Sequence, residues 1–158
     1  MSTQVFQELQ RRLAAAGVSY QVVTHAPVFT SEEAARVRGT PLGSGAKALL
    51  CKTGDHFTLL VLPADRKLDG KRVQRELGVK SLRFATKEEL FALTGLAPGA
   101  VPPFGSLFNL PTCLDPALGE YAEINFNAGD HATSMKLAYA DYVAFEKPRL
   151  IAASTPPT

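Results

Sequence analysis

Cysteine, histidine and long apolar runs are all scarce in this chain, and each scarcity removes a class of function. Only two cysteines occur in 158 residues, Cys51 and Cys113. They lie far apart, match no metal or redox spacing, and read as buried apolar thiols of a reducing compartment. The three histidines, His25, His56 and His131, are scattered, so no metal is expected and no cofactor is assigned. No apolar stretch approaches the roughly 20 residues that span a bilayer, and Met1-Ser2-Thr3-Gln4 lacks the basic-then-apolar order of a signal peptide. The expectation is a cytoplasmic protein with no membrane partner.

Charge of one sign is lacking too. The formal net charge is only +2, with no polybasic tail, so a nucleic-acid partner needs a local basic patch to meet its phosphates. Arg36, Arg38, Lys67, Lys71, Arg72, Lys80 and Lys136 are spread along the chain and read as solvated faces. Familiar catalytic devices are missing as well: there is no Gly-x-Ser-x-Gly elbow, no His-Glu-x-x-His and no Walker-type phosphate loop. Gly43-Ser44-Gly45 looks like a fragment of a glycine-rich loop. It precedes a strand pattern, however, and so has no helix N-terminus with which to cradle phosphate.

What is present is an ordinary globular composition, 46% apolar and 20% charged, long enough to bury a core. One domain over residues 1–150 is expected, followed by a Ser/Thr/Pro-rich tail at 151–158 that reads as frayed. Phe6, Leu9 and Leu13 fall at helical spacing before Gly17. Thr30 with Glu33, and Thr86 with Glu89, are capping-box signatures for helices that end at Gly39 and Gly95. Asp69 can cap a third helix, closed by Gly78. Two apolar runs, 46–52 and 56–62, flank Gly54-Asp55 and predict a hairpin. Shorter strands are expected at 19–24, 82–84, 107–110, 112–114, 120–126 and 132–137, with a last helix over 140–145. Strands and helices alternate irregularly, which favours an α+β domain on a mixed β-sheet.

One lysine breaks the hairpin pattern, in Gly45-Ala46-Lys47-Ala48-Leu49-Leu50-Cys51. Burying an ammonium there costs several kcal/mol unless an anion or carbonyl compensates it. Lys47 is therefore either a snorkelling residue at a strand edge or a charge held for a ligand. Downstream, Gly99-Ala100-Val101-Pro102-Pro103-Phe104-Gly105 is too constrained for ordinary linker. It is either a rigid turn or a loop whose backbone amides face a substrate. An activated ester needs little beyond a positioned water, oxyanion donors and a clamp, which this loop and Lys47 could supply. His131 either caps a strand or donates to an ester or a ribose hydroxyl. His25 reads as a turn histidine beside Pro27 or as a site residue. Asp115 either lines a pocket or caps the turn at Pro116, and Thr30, Ser44 and Ser134 are candidate substrate contacts.

Four segments in this order, Thr24-His25-Ala26-Pro27-Val28, Gly45-Ala46-Lys47-Ala48-Leu49-Leu50, Gly99 through Gly105 and Asn127-Ala128-Gly129-Asp130-His131, resemble the YbaK family of prolyl-tRNA-synthetase-associated editing domains. The resemblance spans residues 3–147. It implies a mixed sheet curled into a partly open barrel flanked by helices. It also implies a free-standing, metal-free hydrolase, an aminoacyl-tRNA deacylase that removes a wrong amino acid from the 3′ adenosine of tRNA, often tRNA(Pro). Mischarged tRNA is then the partner, with prolyl-tRNA synthetase a second candidate. Lys47 is implied as the anchor of the terminal nucleotide and ester, and the 99–103 loop as the cradle of the aminoacyl group. The site set is thus Lys47, Gly99 and His131 as catalytic, with His25, Thr30, Ser44, Ala100, Val101, Pro102, Pro103 and Asp115 binding substrate. Ala48 stands where alanine-specific members often carry asparagine. A non-catalytic tRNA-binding or regulatory module of the same fold, and a hydrolase of another activated ester, are the alternatives.

Overall fold

The capping boxes and glycine stops seen in the sequence set the helix ends of the structure, a computed structural model that describes residues 2–157. Helix α1 covers Ser2–Ala15, and strand β1 covers Gln21–Thr24. Helix α2, Ser31–Arg38, begins with the Thr30/Glu33 box and stops at Gly39 in the left-handed region. The hairpin follows as β2, Ala46–Thr53, and β3, His56–Pro63. Next come β4, Lys67–Leu68, and α3, Gly70–Leu77, the latter capped by Asp69. Then β5, Leu82–Phe84, leads into α4, Lys87–Thr94, which carries the second complete capping box. The C-terminal third holds β6, Thr112–Leu114, β7, Glu123–Asn127, and β8, Thr133–Ala138. It ends with α5, Tyr139–Glu146, β9, Arg149–Leu150, and β10, Ser154–Thr155.

The strands form a five-stranded sheet in the order β5-β2-β3-β6-β9, a three-stranded sheet β1-β8-β7 and a β10-β4 pair. Parallel pairing of β3 with β6 and β6 with β9, beside antiparallel β2–β3, makes the larger sheet mixed. The α+β class therefore holds; among the described residues no sheet closes on itself. The two larger sheets meet at a parallel bridge between Gly45 and Asn125. Around that junction α1 supplies Leu9 and Leu13 to a core with Phe104, Phe126 and Tyr142. Phe104 sits edge-on to Phe126, Tyr142 and Phe145 at 5.4, 5.1 and 5.7 Å, a geometry that adds to simple burial.

Two expectations need correction. Residues 107–110 are not a strand: Gly105–Phe108 is a 3₁₀ turn closed by Asn109 at φ 57°. The Leu110 amide returns to the Gly105 carbonyl at 3.0 Å, which leaves no extended edge to pair. The tail at 151–158 is not frayed through its first half. Ile151, Ala153 and Ser154 are buried, and β10 pairs with β4. Buried apolar area and a short ladder outweigh a turn-forming composition.

Candidate active site

Strand β2 places Lys47 by its period of two. Positions 47, 49 and 51 share a face; Leu49 and Cys51 pack there with Val73, Ile151 and Ala153, while Lys47 is half-buried at the open end. Its Nζ donates to the Arg66 carbonyl at 2.8 Å. Burial lowers its pKa, and the nearby charges of Asp65 and Glu32 oppose that shift. Lys47 thus lays its stem along apolar surface and gives its ammonium to a backbone carbonyl beside a cleft.

That cleft, about 200 Å³, is bounded by α2, the start of β2 and the 99–101 loop. The loop is braced by one segment. Three successive carbonyls, of Pro98, Gly99 and Ala100, accept from His131 Nε2, Asn127 Nδ2 and the Gly129 amide, each at 2.9 Å. Because a peptide is trans and planar, tying back its carbonyl turns its N–H the other way. Among the described residues the Gly99 and Val101 amides have no backbone acceptor. Gly99 adopts φ +84°, and a Cβ there would sit 3.3 Å from His131 Nε2. The far end of the loop is pinned by the buried Tyr142 hydroxyl, which donates to the Pro103 carbonyl at 2.6 Å.

Behind the brace runs a polar chain. His25 Nδ1 donates to the Ala26 carbonyl at 2.9 Å, and its Nε2 is hydrogen-bonded to the Ser134 hydroxyl at 2.8 Å. Ser134 Oγ in turn accepts from Arg38 Nε at 2.8 Å, and Arg38 Nη2 donates to Asn127 Oδ1 at 2.9 Å. Burial pulls the Arg38 pKa down to about 10.

The aminoacyl-tRNA editing domain model matches residues 25–145, which contain all of this geometry. The chain belongs to that family. Among relatives of this editing domain is the multifunctional Ser/Thr-tRNA deacylase ProXp-y of Escherichia coli, 37% identical over 92% of this chain and 90% of its own length. The prolyl-tRNA editing protein ProX of Acetoanaerobium sticklandii is 28% identical over 78% of this chain and 79% of its own. A solved structure of a candidate trans-editing enzyme for prolyl tRNA synthetase superposes with a TM-score of 0.85 at 28% identity, covering 96% of this chain and 98% of that one. The expected trans-editing aminoacyl-tRNA deacylase, a hydrolase with mischarged tRNA as partner, is borne out.

Within the editing domain, Lys47, Gly99, His131, Thr30 and Val101 do meet at the cleft. The other expected residues lie behind or away from it. Ala100, Pro102 and Pro103 are buried and frame the loop. Ser44 donates to the Pro41 carbonyl and accepts from Asn125 beneath the floor. His25 reaches the site only through Ser134. Asp115 is buried elsewhere, accepting from the Ala117 and Ala153 amides and the Ser154 hydroxyl.

Three cleft residues escaped the sequence reading. Asn127 stood inside the fourth motif without a role. Phe29, 73% exposed, stacks obliquely on His131 at 4.9 Å, with no pattern to announce it. Arg38 was read as part of a solvated face and instead turns inward to Ser134 and Asn127. Among the described residues no group of His, Cys, Asp or Glu could hold a metal, and no helix is long and apolar enough to cross a membrane.

Proposed function

We infer that the cleft receives the 3′ aminoacyl-adenosine end of a mischarged tRNA in the cytoplasm. Lys47 anchors the terminal nucleotide, and the ester carbonyl lies over residues 99–101. The observation that carries this reading is the triple brace, which leaves the amides of two cleft-lining residues, Gly99 and Val101, without a backbone acceptor among the described residues. Preorganised donors of this kind stabilise the oxyanion as it forms, typically by about 2.7–4 kcal/mol each. Water is the nucleophile, and the neighbouring ribose hydroxyl of the tRNA is the base, since no side chain at the cleft is placed as one. His131 works through its hold on Pro98, and His25 through Ser134. The two sheets that meet at Gly45 form the curled wall around this site, in keeping with the partly open barrel the resemblance implies. No metal takes part.

Specificity follows ProXp-y, the relative with the higher identity of the two described. Ala48 replaces the asparagine of alanine-specific members, and seryl and threonyl esters are the preferred substrates. Prolyl-tRNA synthetase is a secondary partner at most. The test is deacylation of tRNAs charged with serine, threonine, alanine, cysteine or proline. Faster loss of serine and threonine than of alanine supports the reading, and spontaneous rates for all five overturn it.

A further inference from the structure

Arg38 carries a charge that the protein does not answer. Its Nε and Nη2 go to neutral acceptors, Ser134 Oγ and Asn127 Oδ1. Among the described residues no carboxylate lies within ion-pair distance of it. The last-turn carbonyls of α2 offer only a partial negative charge. A half-buried guanidinium without a counterion is expensive, and this one borders the substrate cleft. Its remaining nitrogen, Nη1, lies 3.7 Å from where a Cβ on Gly45 would stand. Arg38 and Gly45 both line the cleft there. A second orphan adjoins it: the Thr40 hydroxyl, also on the cleft wall, is buried with no hydrogen-bond partner among the described residues.

The chemistry of an aminoacylated 3′ end leaves one candidate for these donors. The ester and the ribose are neutral, and the α-amino group is a cation that Arg38 repels. The nearest anion is the phosphodiester on the 5′ side of the terminal adenosine. Guanidinium suits it, since its planar fork meets two phosphate oxygens. We propose that Arg38, with the Thr40 hydroxyl, is the phosphate subsite of the cleft and so sets which way round the terminal nucleotide lies. The inference rests on the deacylase reading for its ligand, and places the amino acid at the end of the cleft away from Arg38.

Adenosine 5′-monophosphate and adenosine, titrated into the protein and followed by amide chemical shifts, test this without any turnover. The wild-type protein should bind the monophosphate about tenfold or more tightly than the nucleoside, the scale of a charged hydrogen bond. Arg38→Gln should erase that preference and leave adenosine binding unchanged. Arg38→Lys keeps the charge without the fork and should retain part of it. Equal wild-type affinities, or equal weakening of both ligands by Arg38→Gln, overturn the subsite and leave Arg38 a strut. A retained phosphate preference with no deacylation of any charged tRNA would instead overturn the deacylase reading alone.

Discussion

Arg38 and Arg66 occupy nearly matching settings with opposite outcomes. Both are half-buried, and both donate Nε to a serine hydroxyl at 2.8 Å. Ser154, the partner of Arg66, passes its own proton to the buried Asp115 carboxylate, which also accepts two backbone amides. Ser134, the partner of Arg38, is joined to the His25 ring and to no carboxylate among the described residues. One chain of donors ends in a charge of opposite sign and knits β10 to the rest of the fold. The other ends in none and opens on the cleft. A charge relay that is complete within the protein stabilises it; one left incomplete is available to a ligand.

The sharpest way to break this contrast is to remove the anchors of each side. Asp115→Ala should cost about 3–5 kcal/mol in chemical denaturation, because it strands a guanidinium and buried donors. Any folded Asp115→Ala protein should keep its substrate preference. Gly99→Ala should do the reverse. Strain at positive φ is roughly 1–2 kcal/mol, yet the shifted brace should lower kcat about a hundredfold, the scale of one lost oxyanion donor. Lys47→Ala should raise KM more than it lowers kcat if the lysine positions the nucleotide. Ser154→Ala should cost about 1–3 kcal/mol from an unsatisfied buried carboxylate, with a small rise in KM because Arg66 also holds Lys47.

The smallest effect is on pH. Lys47 has a folded-state pKa below that of an unfolded lysine. Folding is therefore penalised while the group is charged in both states, and this penalty fades as pH rises through the folded value towards the unfolded one. Substrate binding runs the other way, since it needs the cation. After subtraction of spontaneous ester hydrolysis, kcat/KM should begin to fall on the alkaline side at a pH below the ordinary lysine value, and Lys47→Arg should move that limb upward.

Arg38 and Arg66 also show how far the sequence could be read. Helices α2 and α4 were legible because a capping box is a local signal, and the hairpin because apolar runs on either side of Gly54-Asp55 are local too. Gly99 stood out because glycine followed by two prolines makes a run too constrained for ordinary linker. No comparable signal separates the two arginines. Each sits among polar residues, and their serine partners are 96 and 88 positions away. The docked tail was hidden for a similar reason: Ser154 is polar and lies among turn-formers, and only the distant Asp115 makes its burial favourable. Asp115 read better as the cap of its turn than as pocket lining, and it is that cap, but its second role in holding the tail had no local signal.

The bridge between Gly45 and Asn125 joins two sheets at the base of the cleft. A site built across such a seam has walls that belong to separate ladders: Lys47 moves with the five-stranded sheet, and Asn127 with the three-stranded one. Nucleotide bound between them acts as a cross-link. Protection of amides near the seam against hydrogen exchange should therefore report occupancy at both walls together, even though neither ladder changes its pairing.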